Sequence, residues 1–219
     1  MNALTTKLKD MRDFGGALRT PGLADAQIES AAARHPELVE AIDAAHAAHI
    51  ALRNEMAELL RMDEAAQVAA VQADFVNFYP EDGVNPYVAL AARGPWVVTL
   101  KGAVVYDAGG YGMIGFGHTP KAVLDAIARP QVMANVMTPN LAQYRFGHAL
   151  KREIGRTRGG SPFVRFFCLN SGSEAVTLAA RIADVNAKLM TDTGARHAGR
   201  TIKRIAIKGA FHGRTERPA

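Results

Sequence analysis

Phe166-Phe167-Cys168-Leu169-Asn170-Ser171-Gly172-Ser173-Glu174-Ala175 passes from an apolar run through a small polar turn straight into a helical pattern. Such a helix start leaves backbone N–H groups without partners, here beside two hydroxyls and a glycine. An anion is stabilised there by those donors and by the helix dipole. The stretch reads as a phosphate seat, or as a plain helix cap with Asn170 or Ser171 at the N-cap position. Around it, Phe163 to Leu169 predicts a short apolar strand. Leu178, Ile182, Val185 and Leu189 share one face and predict a helix over 174–190. Thr201 to Lys208 alternates around Ile202, Ile205 and Ile207 and predicts a second strand. Strand, helix and strand in this order predict a βαβ unit with parallel pairing, whose ligands bind at the carboxyl ends of the strands.

A second unusual loop, Gly209-Ala210-Phe211-His212-Gly213-Arg214-Thr215, falls at the same end. Phe211 and His212 bring flat rings, and Arg214 brings a planar fork suited to a carboxylate. Core packing for Phe211 and a solvated charge for Arg214 satisfy the same local pattern. Together the two loops suit a flat phosphorylated cofactor acting on an amino or carboxylic acid. No G-x-x-x-x-G-K-[ST] spacing occurs, so a Walker-type nucleotide site is excluded.

The 219 residues suffice for one large or two modest domains. A hydrophobic share of 48% with 21% charged residues is that of a globular protein. The net charge of +5 is scattered, without a basic block, so no nucleic-acid partner is expected. No apolar run reaches membrane-spanning length and no signal-peptide core opens the chain, so no membrane partner is expected. The single cysteine, Cys168, cannot form an internal disulfide, which points to a reducing, cytoplasmic setting. Cys168 is either a nucleophile or a small buried hydrophobe; nothing local activates it, and burial is the expectation.

Residues 1–24 read as a loose lead-in, broken by Gly15-Gly16 and Pro21-Gly22. From Asp25 to about Phe78 the pattern is helical. Leu38, Ile42, Ala45, His49, Leu52, Met56 and Leu59 draw one stripe, which packs on the protein's own body or makes a short coiled-coil contact. His46 and His49 lack a third ligand nearby, so no metal is expected. Residues 79–95 read as a linker, and Trp96–Leu100 with Ala103–Asp107 as a hairpin. Gly110, Gly112 and Gly115 spell G-x-G-x-x-G, but no helix opens there and no acid follows at the required distance. The dinucleotide reading is therefore rejected in favour of tight turns or close backbone approach. Thr119-Pro120 and Thr138-Pro139 predict two helix starts.

With these residues in place the chain resembles the class-III aminotransferases of ω-amino-acid type, which use pyridoxal phosphate. Asn170 to Ala175 and Gly209 to Thr215 carry the resemblance, with Tyr106-Asp107 and Gly117-His118-Thr119-Pro120 in support; it covers roughly 96–219. It implies the α/β, type-I pyridoxal-phosphate aminotransferase fold, here truncated. The expected layout is a helical region and linker over 1–95, the first part of the small domain over 96–160, and the first βαβ of the large domain over 161–219. The resemblance implies that Ser171, Gly172 and Ser173 hold the cofactor phosphate, with Phe211 and His212 at the ring. It implies that Tyr111 and Arg214 meet the substrate, that an amino donor and a keto acceptor are the small-molecule partners, and that the protein is a homodimer. The family's Schiff-base lysine and pyridine-pairing aspartate are expected downstream of Ala219, so no catalytic residue is assigned and the chain alone is expected to be inactive. An aminomutase or decarboxylase on the same scaffold, and a non-catalytic module acting through the N-terminal helices, are the alternatives.

Overall fold

Pro36 occupies the first turn of a twenty-residue helix, where its missing N–H costs nothing, and the N-terminal part of the molecule is built on the face this helix turns inward. The computed structural model describes residues 2–77, 83–109, 114–133, 135, 137–205, 207–211 and 213. The chain divides into two units, Met1–Gln131 and Val132–Ala219. The first holds α1 (Ala3–Arg12), α2 (Asp25–Ala32), α3 (Pro36–Glu55), α4 (Ala57–Arg61) and α5 (Glu64–Gln72). It continues with β1 (Ala89–Arg93), β2 (Trp96–Thr99), β3 (Val104–Tyr106) and α6 (Lys121–Ile127). The second holds α7 (Leu141–Gly155) and α8 (Gly172–Thr191).

The predicted stripe is the inward face of α3. Leu38, Ala41, Ile42, Ala45 and His49 are buried. The small Ala41 and Ala45 let α3 lie close on β1 and β2 and against α1. The core joins Leu4, Leu8 and Met11 of α1 and Ile28 of α2 to Trp96, Val98 and Val104 of the sheet. The stripe thus packs on the protein's own body. It stops at Met56, an exposed residue whose φ of −134° and ψ of 39° end the helix. The helical pattern over 25–78 is therefore divided into α2 to α5, and Leu60, not Leu59, is buried beyond the break.

The sheet is an antiparallel meander, β1-β2-β3. Trp96 pairs with Tyr106 and Val98 with Val104, which is the predicted hairpin. Arg93 pairs with Trp96 across Gly94-Pro95, and Gly94 takes the positive φ (+51°) that a two-residue hairpin turn requires. Several expectations are corrected. Residues 1–24 contain α1, whose Leu4, Leu8 and Met11 repeat at helical spacing but are interleaved with Lys7, Lys9, Asp10 and Arg12. The expected linker contains β1, whose alanines carry little strand signal. Helix α6 is capped at Pro120 without a side-chain bond, because the Thr119 hydroxyl donates to Ala92 O instead (3.0 Å). Helix α7 begins later than Thr138-Pro139, where Asn140 and Gln143 cap each other reciprocally (3.0 and 3.2 Å).

The predicted strands Phe163–Leu169 and Thr201–Lys208 are not among the strands of the described residues. A strand needs a neighbour for its backbone groups, and these segments pair with none there. Phe163, Val164, Phe167, Ile205 and Ile207 are accordingly exposed. So is the expected inner face of α8, Ile182, Val185 and Leu189. Cys168, expected to be buried, is exposed for the same reason. Among the described residues no helix is long and apolar enough to cross a membrane.

Two buried polar nodes fasten the first unit. Lys101, in the turn between β2 and β3, is buried, and its ammonium donates to Gly15 O and to Leu60 O (2.9 Å). Leu60 lies in the last turn of α4, where a carbonyl lacks a helical partner. Burial pulls the Lys101 pKa below the usual range, opposed by the charges of Asp63 and Glu64. Those carboxylates in turn accept N–H groups of the α1–α2 loop, Asp63 from Ala17 (2.6 Å) and Glu64 from Arg19 (2.7 Å) and Thr20 (2.6 Å). The second node is centred on His49, whose Nδ1 accepts from Arg53 Nε (3.2 Å) under the edge of Phe14. Arg53 also donates to Asp10 (2.6 Å), as His46 Nε2 faces the same carboxylate at 2.9 Å. Burial first, and the Arg53 charge second, push His49 down to about 4.

Lys101→Met removes the donor shared by two distant carbonyls and should cost about 2–4 kcal/mol. Urea unfolding of the two proteins measures it, and an unchanged midpoint would refute the role. His49 gives a separate expectation. Its folded pKa of about 4 lies below the ordinary 6.5, so the unfolded chain takes up the proton first as pH falls. Its contribution is complete above pH 6.5 and is lost toward pH 4, at up to about 1.4 kcal/mol per pH unit. Comparing unfolding free energy against pH for the wild type and His49→Leu should show a shallower acid slope in the variant.

Candidate functional site

Ser171 is extended (φ −145°, ψ 158°) and caps α8. Its Oγ accepts the Glu174 N–H at 3.2 Å and donates to Glu174 Oε2 at 3.1 Å. The sequence S-x-x-E produces this reciprocal arrangement because residues three apart face each other across the first helical turn. Of the two caps that the sequence allows, Ser171 is therefore the one formed. The cap satisfies one donor of the first turn, the Glu174 N–H.

Gly172, the first helical residue, faces open space, since a Cβ there would meet nothing within 4 Å. The second loop comes to this helix end. A Cβ on Gly213 would fall 2.2 Å from Ser173 Oγ, so these two residues touch only because Gly213 has no side chain. Gly213 also sits at φ +76°, which favours glycine a second time. The loops thus meet at Gly213 and Ser173, although the strands expected to carry them are not formed among the described residues. Arg204 holds the approach to the second loop against α8 through Asp184 Oδ1 (2.8 Å). Gly209 (φ +78°) and the Ala210 N–H to Ile207 O bond (3.1 Å) turn the chain back.

Phe211 is exposed. His212, Arg214 and Tyr111 lie outside the described residues. The structure therefore brings Ser171, Gly172 and Ser173 together with the second loop at Gly213, and leaves the substrate-facing expectations where the sequence put them. Chemically the helix end offers backbone donors, two serine hydroxyls and a glycine cradle, the donor set of a phosphate site. Glu174 stands at its mouth. Its carboxylate already complements the helix dipole and must swing aside for a phosphate, which its exposed position permits.

Sequence reading missed the half-buried pair His118 and Asp107, with Nε2 and Oδ2 3.0 Å apart. The two residues are separated by a glycine-rich segment with no periodicity, so no spacing rule joins them. Their proximity follows from the bridge between Gly94 and His118, which only the folded hairpin creates.

A comparison with known families matches the aminotransferase class-III model over residues 78–217, so that the match begins ahead of β1. Among curated proteins, an ω-amino acid–pyruvate aminotransferase of Pseudomonas putida is 32% identical over 104 residues. That alignment takes in 45% of this chain and 22% of the relative, so the chain spans about a fifth of that protein. No solved structure matches the chain. The family match covers well over half of the residues, both loops of the α8 site among them, and the chain belongs to the class-III aminotransferases.

Proposed function

We propose that this chain forms the cofactor-phosphate end of an aminotransferase site that moves an amino group from an ω-amino acid or amine to a keto acid such as pyruvate. The contact of Gly213 with Ser173 carries the reading, because it joins the two family loops at one helix end. Pyridoxal phosphate, when bound, supplies an aldehyde and an electron-withdrawing ring that take up the amino group. Gly172 and Ser173 offer backbone N–H groups to the phosphate, and the Ser171 and Ser173 hydroxyls stand beside it. Phe211, with His212 next to it, faces the ring and excludes water from one side. Arg214 holds a substrate carboxylate by its fork, and Tyr111 lines the substrate side. The lysine that anchors the aldehyde and the aspartate that pairs with the ring nitrogen are supplied by sequence beyond Ala219. The working protein is a cytoplasmic homodimer in this reading, organised as the helical, small-domain and large-domain segments that the sequence implies.

Titration of the chain with pyridoxal phosphate, followed by the phosphorus-31 resonance of the cofactor, tests the phosphate site directly. Ser173→Ala should weaken binding about fivefold, the equivalent of one hydrogen bond near 1 kcal/mol. Gly213→Val should abolish it, since a side chain at φ +76° would strike Ser173. Inorganic phosphate should compete. Saturable binding that ignores both substitutions and phosphate would place the cofactor elsewhere and sink the proposal. A second expectation concerns turnover: amino transfer to pyruvate should be absent from the 219-residue chain and present in a polypeptide that continues past Ala219.

A further inference from the structure

The Asp107–His118 pair belongs neither to the core nor to the α8 site. Asp107 follows β3 directly, His118 precedes Thr119, and the glycine-rich segment 108–117 runs between them. Both ends of that segment are fastened to one place, the turn between β1 and β2. The Asp107 N–H donates to Pro95 O at 2.7 Å. The His118 N–H donates to Gly94 O at 2.7 Å, and His118 O accepts the Gly94 N–H at 3.1 Å. Gly94 and Gly117 both have positive φ, +51° and +72°. A Cβ on Gly117 would fall 2.7 Å from Gly94 Cα, so two bare backbones are pressed together there. Within the segment, Gly117 N–H donates to Ile114 O (2.8 Å), and Asp107 Oδ1 accepts the Gly109 N–H (2.9 Å). The other carboxylate oxygen, Oδ2, meets His118 Nε2 at 3.0 Å and ties the two ends by their side chains.

The next residue shows that this fastening bears a load. Thr119 stands at φ +47°, a left-handed conformation that is an outlier for a β-branched residue. Its hydroxyl is spent on Ala92 O, not on the helix it precedes. Strain of this kind persists only where the surroundings over-determine it, and it gathers where a segment must be held in a particular path. Here the surroundings are the Gly94–His118 bridge on one side and the Asp107–His118 pair on the other.

We propose that Asp107 and His118 are positioning residues whose side-chain pair locks both ends of segment 107–118 onto the β1–β2 turn. The lock fastens the two ends of the stretch in which Tyr111 lies in sequence. The lock stands on the geometry alone; its value to catalysis rests on the aminotransferase reading, in which Tyr111 faces substrate.

Amide exchange followed by NMR tests it. In His118→Phe, exchange at Gly109, Gly117 and Gly94 should rise by about tenfold or more, while amides of α3 such as Ile42 and Ala45 change less than about twofold. His118→Gln places an amide nitrogen where Nε2 stood and should restore the three glycines to within about threefold of the wild type. Thr119→Gly removes the strained side chain, so in that background His118→Phe should have a smaller effect. Unchanged glycine exchange in His118→Phe would overturn the proposal. Equal behaviour of the Phe and Gln variants would do the same, as would a rise shared equally by α3. If His118→Phe does not fold alone, the same comparison is made within the Thr119→Gly background. A chain that passes this test yet binds no pyridoxal phosphate would refute the functional reading and leave the lock intact.

Discussion

A single buried ammonium group decides how the N-terminal unit fits together. Lys101 reaches from a β-turn to carbonyls 86 and 41 residues earlier in the chain, in the α1–α2 loop and in α4. Apolar packing is tolerant of small shifts, but a buried cation is not, because each missing acceptor leaves charge unsolvated. The neighbouring Gly102 adds a steric condition, since a Cβ there would lie 2.9 Å from Leu8 O. Charge and close approach together set the register of the hairpin against α1. The helices that precede the family match are thereby made part of one core with the family's own strands, as Leu8 and Met11 beside Val98 and Val104 show.

The parts of this arrangement that local chemistry dictates were legible in the sequence. The stripe on α3, the hairpin of β2 and β3, the helix α8 and its Ser171 cap all follow from spacing or capping preference. What escaped was decided by distant partners. The alanines of β1 become a strand only because Val97 and Trp96 stand opposite. Lys101 reads as a solvated turn residue until the α4 carbonyl is placed over it. The runs at 163–169 and 201–208 have strand composition, yet composition supplies no neighbour, and Phe163, Val164, Phe167, Ile202, Ile205 and Ile207 face solvent. The candidate site divides in the same way. Its serines and glycine were visible as a motif, and the convergence of the two loops was inferred from a sheet that the described residues do not contain. The loops converge without it, held by the bare backbone of Gly213 and by the Arg204–Asp184 pair.

Of the two readings of the opening stretch, the helix cap is the one the fold displays: Ser171 caps α8 with its hydroxyl, and Gly172 and Ser173 follow as the first helical residues. The cap does not exclude the anion reading, because the hydroxyl that closes the helix end belongs to the residue ahead of the first turn.

Glu174 gives that helix end an anion of its own, held to Ser171 at 3.1 Å. Any other anion must therefore arrive by exchange, not by addition, and only the difference between the two appears as affinity. A singly charged buffer ion trades like for like and gains almost nothing. In the proposed reading a doubly charged phosphate ester would gain a full charge in the field of the helix, and that difference would be the source of selectivity.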